Sequence, residues 1–583
     1  MYVATVPNRN SPPAILLRES FRLNGKVLNR TLANISHWPT AQLEALRAVL
    51  KGATSVGVAT PLPQAFDIVR SRPHGQVAAV LGTLRKLQLD RLIDKQPSPE
   101  RDLVLAMIVE RILEPASKLA TARALHPDTL TSTLGELLHL ESPAEDELYR
   151  TMDWLLPQQA RIEQALAKRH LAEGALLLYD LTSTYLEGRH CPLGQLGHSR
   201  DDKKGTLQIV FGLMTNAQGC PLAVEVYAGN TSDPKTVRDQ VTKLQKRFGL
   251  QRVIFVGDRG MLTSARIHED LKPKPGIEWI TALRAPAIKK LASDGILQLS
   301  LFDHRDLAEI SHPDFPGERL IACYNPLLAE ERARKRPELL AATEKELKKI
   351  AVATSRPKRP LRGKQNIGLR VGKVLNRYKM GKHFQIHIEE SSFTYQRKQA
   401  NIEKEESLDG IYVVRTNVPA EVFSGEQAVR NYKSLSCVER AFRSLKTVDL
   451  HVRPIHHRLP DRVRAHIFLC MLAYYVEWHM RKDLAPILFD DDDKAAAEQL
   501  RSTVVAPAQR SASAQAKALD KRTKDDLPVH SFQTLLSDLA TIVMNRVQPK
   551  DATIPAFDIL TIPTTLQQRA FDLLGVPLKP PTV

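Results

Sequence analysis

Between Ser424 and Thr447 the chain reads SGEQAVRNYKSLSCVERAFRSLKT, and its periodicity fits one amphipathic helix. Ser424 is a capping residue type, and Glu426 and Gln427 fall in the first turn. Leu435, Val438, Phe442 and Leu445 recur at three- and four-residue spacing, an apolar stripe that needs a core to cover it. Tyr432, Glu439 and Lys446 stand seven residues apart, about two turns each, so they share one line. Arg443 joins them four residues after Glu439. Alone, Glu439 and Arg443 would be a surface pair worth a few tenths of a kcal/mol. A carboxylate that borders a core stripe and is ringed by a phenol and two cations instead suits an edge where a phosphate and a metal ion meet.

The rest of the chain must supply that core and the other metal-binding groups. With 583 residues it is too long for one core, and three or four structural units are expected. Lys and Arg total 83 against 65 Asp and Glu, a net charge of +18 that favours a polyanionic partner. Cys191, Cys220, Cys323, Cys437 and Cys470 are scattered singly without a CxxC. That spacing argues against a disulfide framework or zinc ribbon and fits a reducing cytosol. The start MYVATVPNRNSPPA lacks a basic-then-apolar signal pattern. The apolar run Ile467 to Val476 is too short to span a bilayer, so no membrane partner is expected.

Taken in order, residues Ala14 to Ile35 alternate as a strand pair around Asn24-Gly25, predicting an N-terminal β-hairpin over 1–38. Residues 39–172 read as mainly helical, with Arg101–Leu125 and Asp146–His170 the most periodic segments and Pro115 a candidate break. They form a candidate DNA-end-binding region. At Gly174 the texture changes. A buried strand, Ala175 to Leu181, carries Asp180, and alternation puts Leu176, Leu178, Asp180 and Thr182 on one face. Two antiparallel strands joined at Asn216–Gly219 follow, then a helix from Asp233-Pro234 to about Phe248. The apolar strand Val253 to Val256 then delivers Asp258 just past its end. Strand, hairpin, helix, strand and a later helix is the element order of an RNase H-like fold.

The expected architecture is therefore multidomain α/β: an RNase H-like mixed sheet flanked by helices, split into 173–285 and 408–485. Residues 286–407 would be a largely β insertion ahead of the last catalytic helix, 486–530 a flexible linker, and 531–583 a helical tail that opens with a helix over Ser531–Arg546. Within the insertion, Arg356 to Lys382 holds ten cations and no acid: Arg356, Lys358, Arg359, Arg362, Lys364, Arg370, Lys373, Arg377, Lys379 and Lys382. A balanced solvated face would intersperse both signs, so this tract predicts phosphate contact and a poorly ordered state without DNA.

Asp180 and Asp258 at strand ends and Glu439 on a helix make the set that two-metal phosphoryl transfer requires. Magnesium takes hard oxygen ligands in octahedral geometry, and two ions roughly 4 Å apart serve the attacking and leaving oxygens. Asp180 would most economically bridge both, with Asp258 and Glu439 each completing one.

YDLTSTYLEG, GDRGM and the Tyr432/Glu439/Lys446 pattern resemble the DDE transposases of bacterial insertion sequences, in the IS-four-like group. The resemblance covers about residues 174–285 and 408–480. It implies that Asp180, Asp258 and Glu439 are the catalytic, metal-binding triad for two Mg2+, with Mn2+ as a substitute and no nucleotide cofactor. It implies that Tyr432 and Lys446 hold the DNA end near the cut. Leu435 stands where the family signature often has arginine, so that phosphate contact is lost or passes to Lys433 or Arg443. Arg453 and Arg458, in the basic turn that follows, complete the expected DNA contacts. The partners implied are double-stranded DNA, as terminal inverted repeats and as target, and a second copy of the chain on paired ends. The setting implied is the bacterial nucleoid. The activity implied is hydrolysis that frees a 3′-hydroxyl, followed by its transfer to target DNA. Two other readings stay open: an RNase H-like nuclease that cuts without joining, and a catalytically lapsed DNA-binding repressor.

Other clusters rank lower. His190, Cys191 and His198 lack a fourth ligand. His451, His456, His457 and His466 suit hydrogen bonds to phosphate or backbone better than metal ligation. The run Asp490 to Asp493 reads as a solvated loop, and no GxxxxGK[ST] loop for ATP occurs.

Overall fold

The structure is a computed structural model that describes the chain except for residues 9–11, 24–25, 52–64, 130, 189, 202, 204, 303–304, 551–553 and 580–583. Its centre is one mixed sheet. The strands are β1 (Ala175–Tyr185), β2 (Gln208–Asn216), β3 (Pro221–Ala228), β4 (Val253–Gly257), β5 (Ile277–Ala282), β6 (Leu307–Ile310), β7 (Arg319–Tyr324) and β8 (Ile411–Thr416). They lie in the order β6-β7-β8-β5-β4-β1-β2-β3. β1, β2 and β3 pair antiparallel as a meander, while β4 and β5 run parallel to β1. β8, β7 and β6 then extend the sheet antiparallel on the β5 side.

The central strands are buried on both faces, which is why they read as near-continuous apolar runs. Leu177, Tyr179 and Leu181 join Val241, Leu244 and Phe255 in one core, covered by the helical turns from Asp233 to Arg247 and Ser264 to Leu271. Leu178, Phe211 and Val256 join the other core with Phe442 and the long helix Pro460–Leu484. Gly212 on β2 is required here, because any Cβ at that position would collide with the Tyr179 ring.

The N-terminal third holds α1 (Pro99–Leu113) and α2 (Lys118–Leu125), which break at Pro115 because proline cannot continue the ladder. Both are started by serine caps, Ser98 and Ser117. This region is not wholly helical: strand Phe66–Pro73 pairs with Val543–Pro549 near the other end of the chain. The predicted N-terminal hairpin carries a third strand, Tyr2–Val6, on Ala14–Leu23. Its turn at Asn24-Gly25 lies outside the described residues.

Three expectations are corrected. The insertion is not largely β: it is dominated by α3 (Pro326–Thr354) and α4 (Lys364–Tyr378), with a small hairpin of Phe384–Ile388 and Phe393–Arg397. Lys335 paired to Glu331 and Arg334 to Glu338 give α3 the i,i+4 support that short strand-like runs nearby obscured. The 486–530 segment is not a free linker. It folds into short helices, buries Val504 and Val505, and is pinned where Lys517 donates to the Ala485 and Asp490 carbonyls at 2.7 and 3.0 Å. The C-terminal segment is not purely helical, since its opening helix ends at Leu539 and strands Val543–Pro549 and Phe557–Leu560 follow.

Candidate active site

Asp180 sits inside β1 on the face it shares with Leu178 and Thr182, where alternation placed it. β4 is a five-residue buried strand, and Asp258 follows it directly. Tyr179 is the register partner of Gly257 across the parallel β1–β4 pair. The two aspartates therefore leave neighbouring strands at one level. Each is fixed by backbone: the Leu181 N–H donates to Asp180 Oδ1 at 2.8 Å, and the Gly260 N–H donates to Asp258 Oδ2 at 2.8 Å. A Cβ at Gly260 would stand 3.0 Å from that same oxygen, so glycine lets the turn close on the carboxylate.

The third carboxylate comes from the 424–447 stretch, which is two helices rather than one. α5 (Gly425–Lys433) starts with a capping box between Ser424 and Gln427. It ends at Ser434, whose hydroxyl turns back to the Asn431 carbonyl at 2.6 Å, and α6 (Ser436–Arg443) begins anew after Leu435. Val438, Ala441 and Phe442 bury one face of α6, and Phe442 meets Phe211 edge-on at 5.6 Å. That docking leaves Glu439 and Arg443 exposed beside β1 and β2.

The electrostatics show that these groups share one space. Burial pushes the half-buried Asp180 carboxyl up to about 7, aided by the negative charges of Asp258 and Glu439. The Leu181 N–H and the Arg200 guanidinium pull the other way. Burial, followed by the negative charge of Asp258, likewise raises the Tyr432 hydroxyl. Tyr432 thus reaches the Asp258 side of the cleft from α5 while Glu439 approaches from α6.

Lys446, Lys433 and Arg453 do not face an open DNA groove. Lys446 is buried, donates to Thr182 Oγ1 at 3.1 Å and the Ser183 carbonyl at 2.8 Å, and pairs with Asp201. Arg453 reaches the same Asp201 oxygen at 2.6 Å. Lys433 donates to the Val504 and Val505 carbonyls at 2.7 and 3.0 Å, and burial lowers its ammonium to about 8. The break between α5 and α6 interrupts the line drawn through Tyr432, Glu439 and Lys446: Glu439 is exposed, while Lys446 is buried against Thr182 and Ser183 of β1. Arg443 and Arg458 are exposed and form no ion pair among the described residues.

Arg200 and Asp201 were missed by sequence reasoning, which read Asp233 only as the start of a helix. Arg200 pairs with Asp233 at 2.6 Å and is the cation that acts on Asp180. Arg200 and Asp201 lie in the irregular stretch between β1 and β2, where no periodicity marks them. The only signal was HSRDDKK, a charge cluster just downstream of the Asp180 strand.

The basic tract is ordered, contrary to expectation. Ile367 and Val371 bury one face of α4 against Leu347 and Ile350 of α3. Arg370, Lys373 and Arg377, spaced three and four apart, stand exposed on another face. Arg362 donates to the Thr354 and Ser391 carbonyls, and Lys382 pairs with Glu405. Arg356, Lys358, Arg359, Lys364 and Lys379 are exposed and unpaired among the described residues.

Three carboxylates supply the hard oxygen donors that magnesium takes, and their mutual repulsion is the strain a divalent cation relieves. Their oxygens are not drawn within 4.8 Å of one another, as the ligand atoms of His170, Cys220 and His479 are. His190, Cys191 and His198 form no such group among the described residues.

The family described as Transposase DDE domain matches residues 183–476, just over half of the chain. The chain belongs to this transposase family. The match begins three residues after Asp180 and includes Asp258 and Glu439. Membership makes this a protein of DNA transposition and recombination that binds DNA. Among solved structures the transposase is similar to a piggyBac transposase synaptic complex with hairpin DNA, at 10% identity and a TM-score of 0.32. That alignment covers 69% of this chain and 72% of the other. It is also similar to a Mos1 transposase paired-end complex with the left transposon end, at 14% identity and a TM-score of 0.14, over 46% and 78% of the two chains. Comparison with curated proteins returns no match. Among the described residues, no helix is long and apolar enough to cross a membrane.

Proposed function

We propose that this transposase cuts and joins DNA at a centre built from Asp180, Asp258 and Glu439 on an RNase H-like core, in the manner of the IS-four-like insertion-sequence enzymes. The level placement of Asp180 and Asp258 on adjacent parallel strands carries the reading. The strand order β3-β2-β1-β4-β5, an antiparallel meander continued by two parallel strands, supports the RNase H-like assignment. Asp180, Asp258 and Glu439 would hold two Mg2+, which when bound supply the activation of an attacking oxygen and the neutralisation of a leaving one.

The chain's own groups have separable tasks. Arg200 offsets the crowded carboxylates and orders the Asp180 side of the cleft. Tyr432, close enough to feel the Asp258 charge, stands where a strand end would lie. Arg443, Arg458 and the exposed cations of residues 356–382 hold the DNA backbone. The chemistry is hydrolysis of a phosphodiester to free a 3′-hydroxyl at the element end, then attack of that hydroxyl on target DNA. Since one phosphodiester replaces another, no nucleotide energy source enters. The partners are terminal inverted repeats, target duplex and a second copy of the chain on paired ends, in the bacterial nucleoid. Residues 39–172 serve as the end-binding region.

A strand-transfer assay with pre-cleaved ends tests this directly. Joined product in magnesium is expected. Cutting of intact ends without joining would mark a nuclease, and binding with neither would mark a repressor.

A further inference from the structure

Three side chains that the carboxylate centre does not use converge where the helix Gln159–His170, the β2–β3 turn and the long helix Pro460–Leu484 meet. His170 is the last residue of the first helix, Cys220 immediately precedes β3, and His479 lies near the end of the long helix. One ligand atom of each lies within 4.8 Å of the other two. Cys220 Sγ stands 4.0 Å from His479 Nε2, and the two imidazole rings are 5.6 Å apart. Cys220 is fully buried and forms no disulfide, while both histidines are half-buried.

The three groups are held by neighbours of their own. Asn216 fixes the turn, its Oδ1 accepting the N–H groups of Gln218 and Cys220, both at 3.0 Å. Gly219 adopts a φ of 87° there, and a Cβ on it would stand 2.9 Å from the Cys437 Cβ, so the turn that carries the thiol requires glycine. Tyr475, one helical turn before His479, places its Oη 2.9 Å from His170 Nε2. Its ring meets those of His170 and His479 edge-on at 5.6 and 4.7 Å. Ligands fixed in this way by outer contacts lose little freedom when an ion arrives.

A thiolate and two imidazoles suit zinc and similar borderline ions, whereas magnesium takes oxygen. With Zn–N near 2.0–2.1 Å and Zn–S near 2.3 Å, the ligand atoms of a tetrahedral site stand about 3.3–3.6 Å apart. The Cys220–His479 gap exceeds that by only about 0.5 Å, which side-chain torsions can close. Burial and then Arg169 lower His170, and burial and then His170 lower His479 to about 4, so both imidazoles are in the neutral form that ligates. Binding would release the Cys220 thiol proton to solvent and leave its thiolate on the ion. The nearby cations are engaged elsewhere: Lys86 with Asp483 at 3.0 Å, Arg169 with the Leu87 carbonyl at 2.6 Å, and Lys482 over the Trp478 ring.

We propose that His170, Cys220 and His479 bind a zinc-class ion, with water as the fourth ligand, and that the ion clamps the two helices to the edge hairpin of the sheet. β3 is the edge strand, and a metal tie at its turn fastens the helix before β1 to the catalytic sheet. The centre is distinct from the carboxylates, because Asn216 at the foot of the turn is level with Leu177 on β1, whereas Asp180 is level with Leu213. It does not depend on the DNA-processing reading.

The test uses the full-length chain, stripped with a chelator and titrated with Co2+ in excess Mg2+, which fills oxygen-only sites without absorbing. One equivalent of Co2+ should give the intense visible absorption of a four-coordinate ion together with a sulfur-to-cobalt charge-transfer band, and Zn2+ should displace both. Cys220→Ser should lose the charge-transfer band. His479→Gln should weaken Zn2+ binding by more than about 100-fold, beyond the loss caused by removing an outer contact. Zn2+ near 100 times its Kd should raise the melting temperature of the stripped parent and leave both variants unmoved. A parent without the charge-transfer band, or a band that persists in Cys220→Ser, overturns the site and leaves the carboxylate reading standing, since that reading is decided by strand transfer. Should Cys220→Ser fail to fold, Cys220→Ala and His170→Asn carry the same readouts.

Discussion

Asp180 and Asp258 stand level on adjacent parallel strands, because the residues just before them, Tyr179 and Gly257, are register partners. A slip of one residue in that register would turn Asp180 into the core that holds Tyr179 and Phe255. The level placement gives the first prediction. Asp180→Asn, Asp258→Asn and Glu439→Gln each remove one charge at nearly constant shape, so each should abolish cleavage and leave end binding within about threefold. A gel assay with labelled ends reads both. Near-normal turnover of any one variant in magnesium removes that residue from the centre.

Lys446 and Arg443 lie three residues apart and should behave oppositely. Lys446 is buried on Asp201, Thr182 and Ser183, so Lys446→Met should destabilise the fold by about 3 kcal/mol and leave the salt slope of DNA binding unchanged. Arg443 is exposed and forms no ion pair among the described residues, so Arg443→Gln should leave melting unchanged and lower the slope by about one. Exchanged outcomes would mean that the Lys446 side of this turn opens onto DNA.

These two residues also show what could be read ahead of the structure. The stripe of Leu435, Val438, Phe442 and Leu445 was legible because helical spacing is local; the last three bury, while Leu435 is half-buried at the start of α6. Asp180 and Asp258 were legible because a charge in or just past an apolar run breaks a strong pattern, although β1 runs on to Tyr185 and Asp180 lies inside it rather than at its end. The direction in which Lys446 points was not legible, because its partner Asp201 sits in an irregular loop remote in sequence. The break at Ser434 was hidden for a related reason. Every residue from Gly425 to Arg443 tolerates a helix, and the bend comes from docking Val429 and Phe442 on one common core. The 486–530 segment shows the same limit: its composition is that of a linker, yet Lys517, Val504 and Val505 tie it down through groups elsewhere in the chain.

Glu110 supplies a prediction about pH. It is buried in α1, and burial with the nearby charge of Glu114 pushes its carboxyl up to about 7 from an ordinary 4.5. Between those values the folded chain holds a proton that the unfolded chain has released, so stability falls as pH rises from about 4.5 to about 7 and is level beyond. Glu110→Gln should remove this fall and stabilise the protein at pH 8 by a few kcal/mol. Denaturant melts at pH 5 and pH 8 check it. A variant less stable than the parent at pH 8 would show that the ionised carboxylate has a partner.

The exposed stripe Arg370, Lys373 and Arg377 permits a cleaner test of DNA contact than the whole basic tract. The helix that carries it is held by Ile367 and Val371 against α3, not by these cations, which form no ion pair among the described residues. Converting all three to Gln should therefore leave melting within about 1 °C, since exposed charges away from partners contribute little to stability. If the stripe follows a DNA backbone, each lost phosphate contact lowers the slope of log K against log salt by about 0.9, so the triple variant should fall by about 2.7. Hydrogen exchange gives a second measurement. Because α4 is already a packed helix, its amides should be protected without DNA, and the change on adding a duplex should be small. An unchanged slope in the triple variant would assign the stripe to solvent and leave DNA contact by this tract to Lys358, Arg359, Lys364 and Lys379.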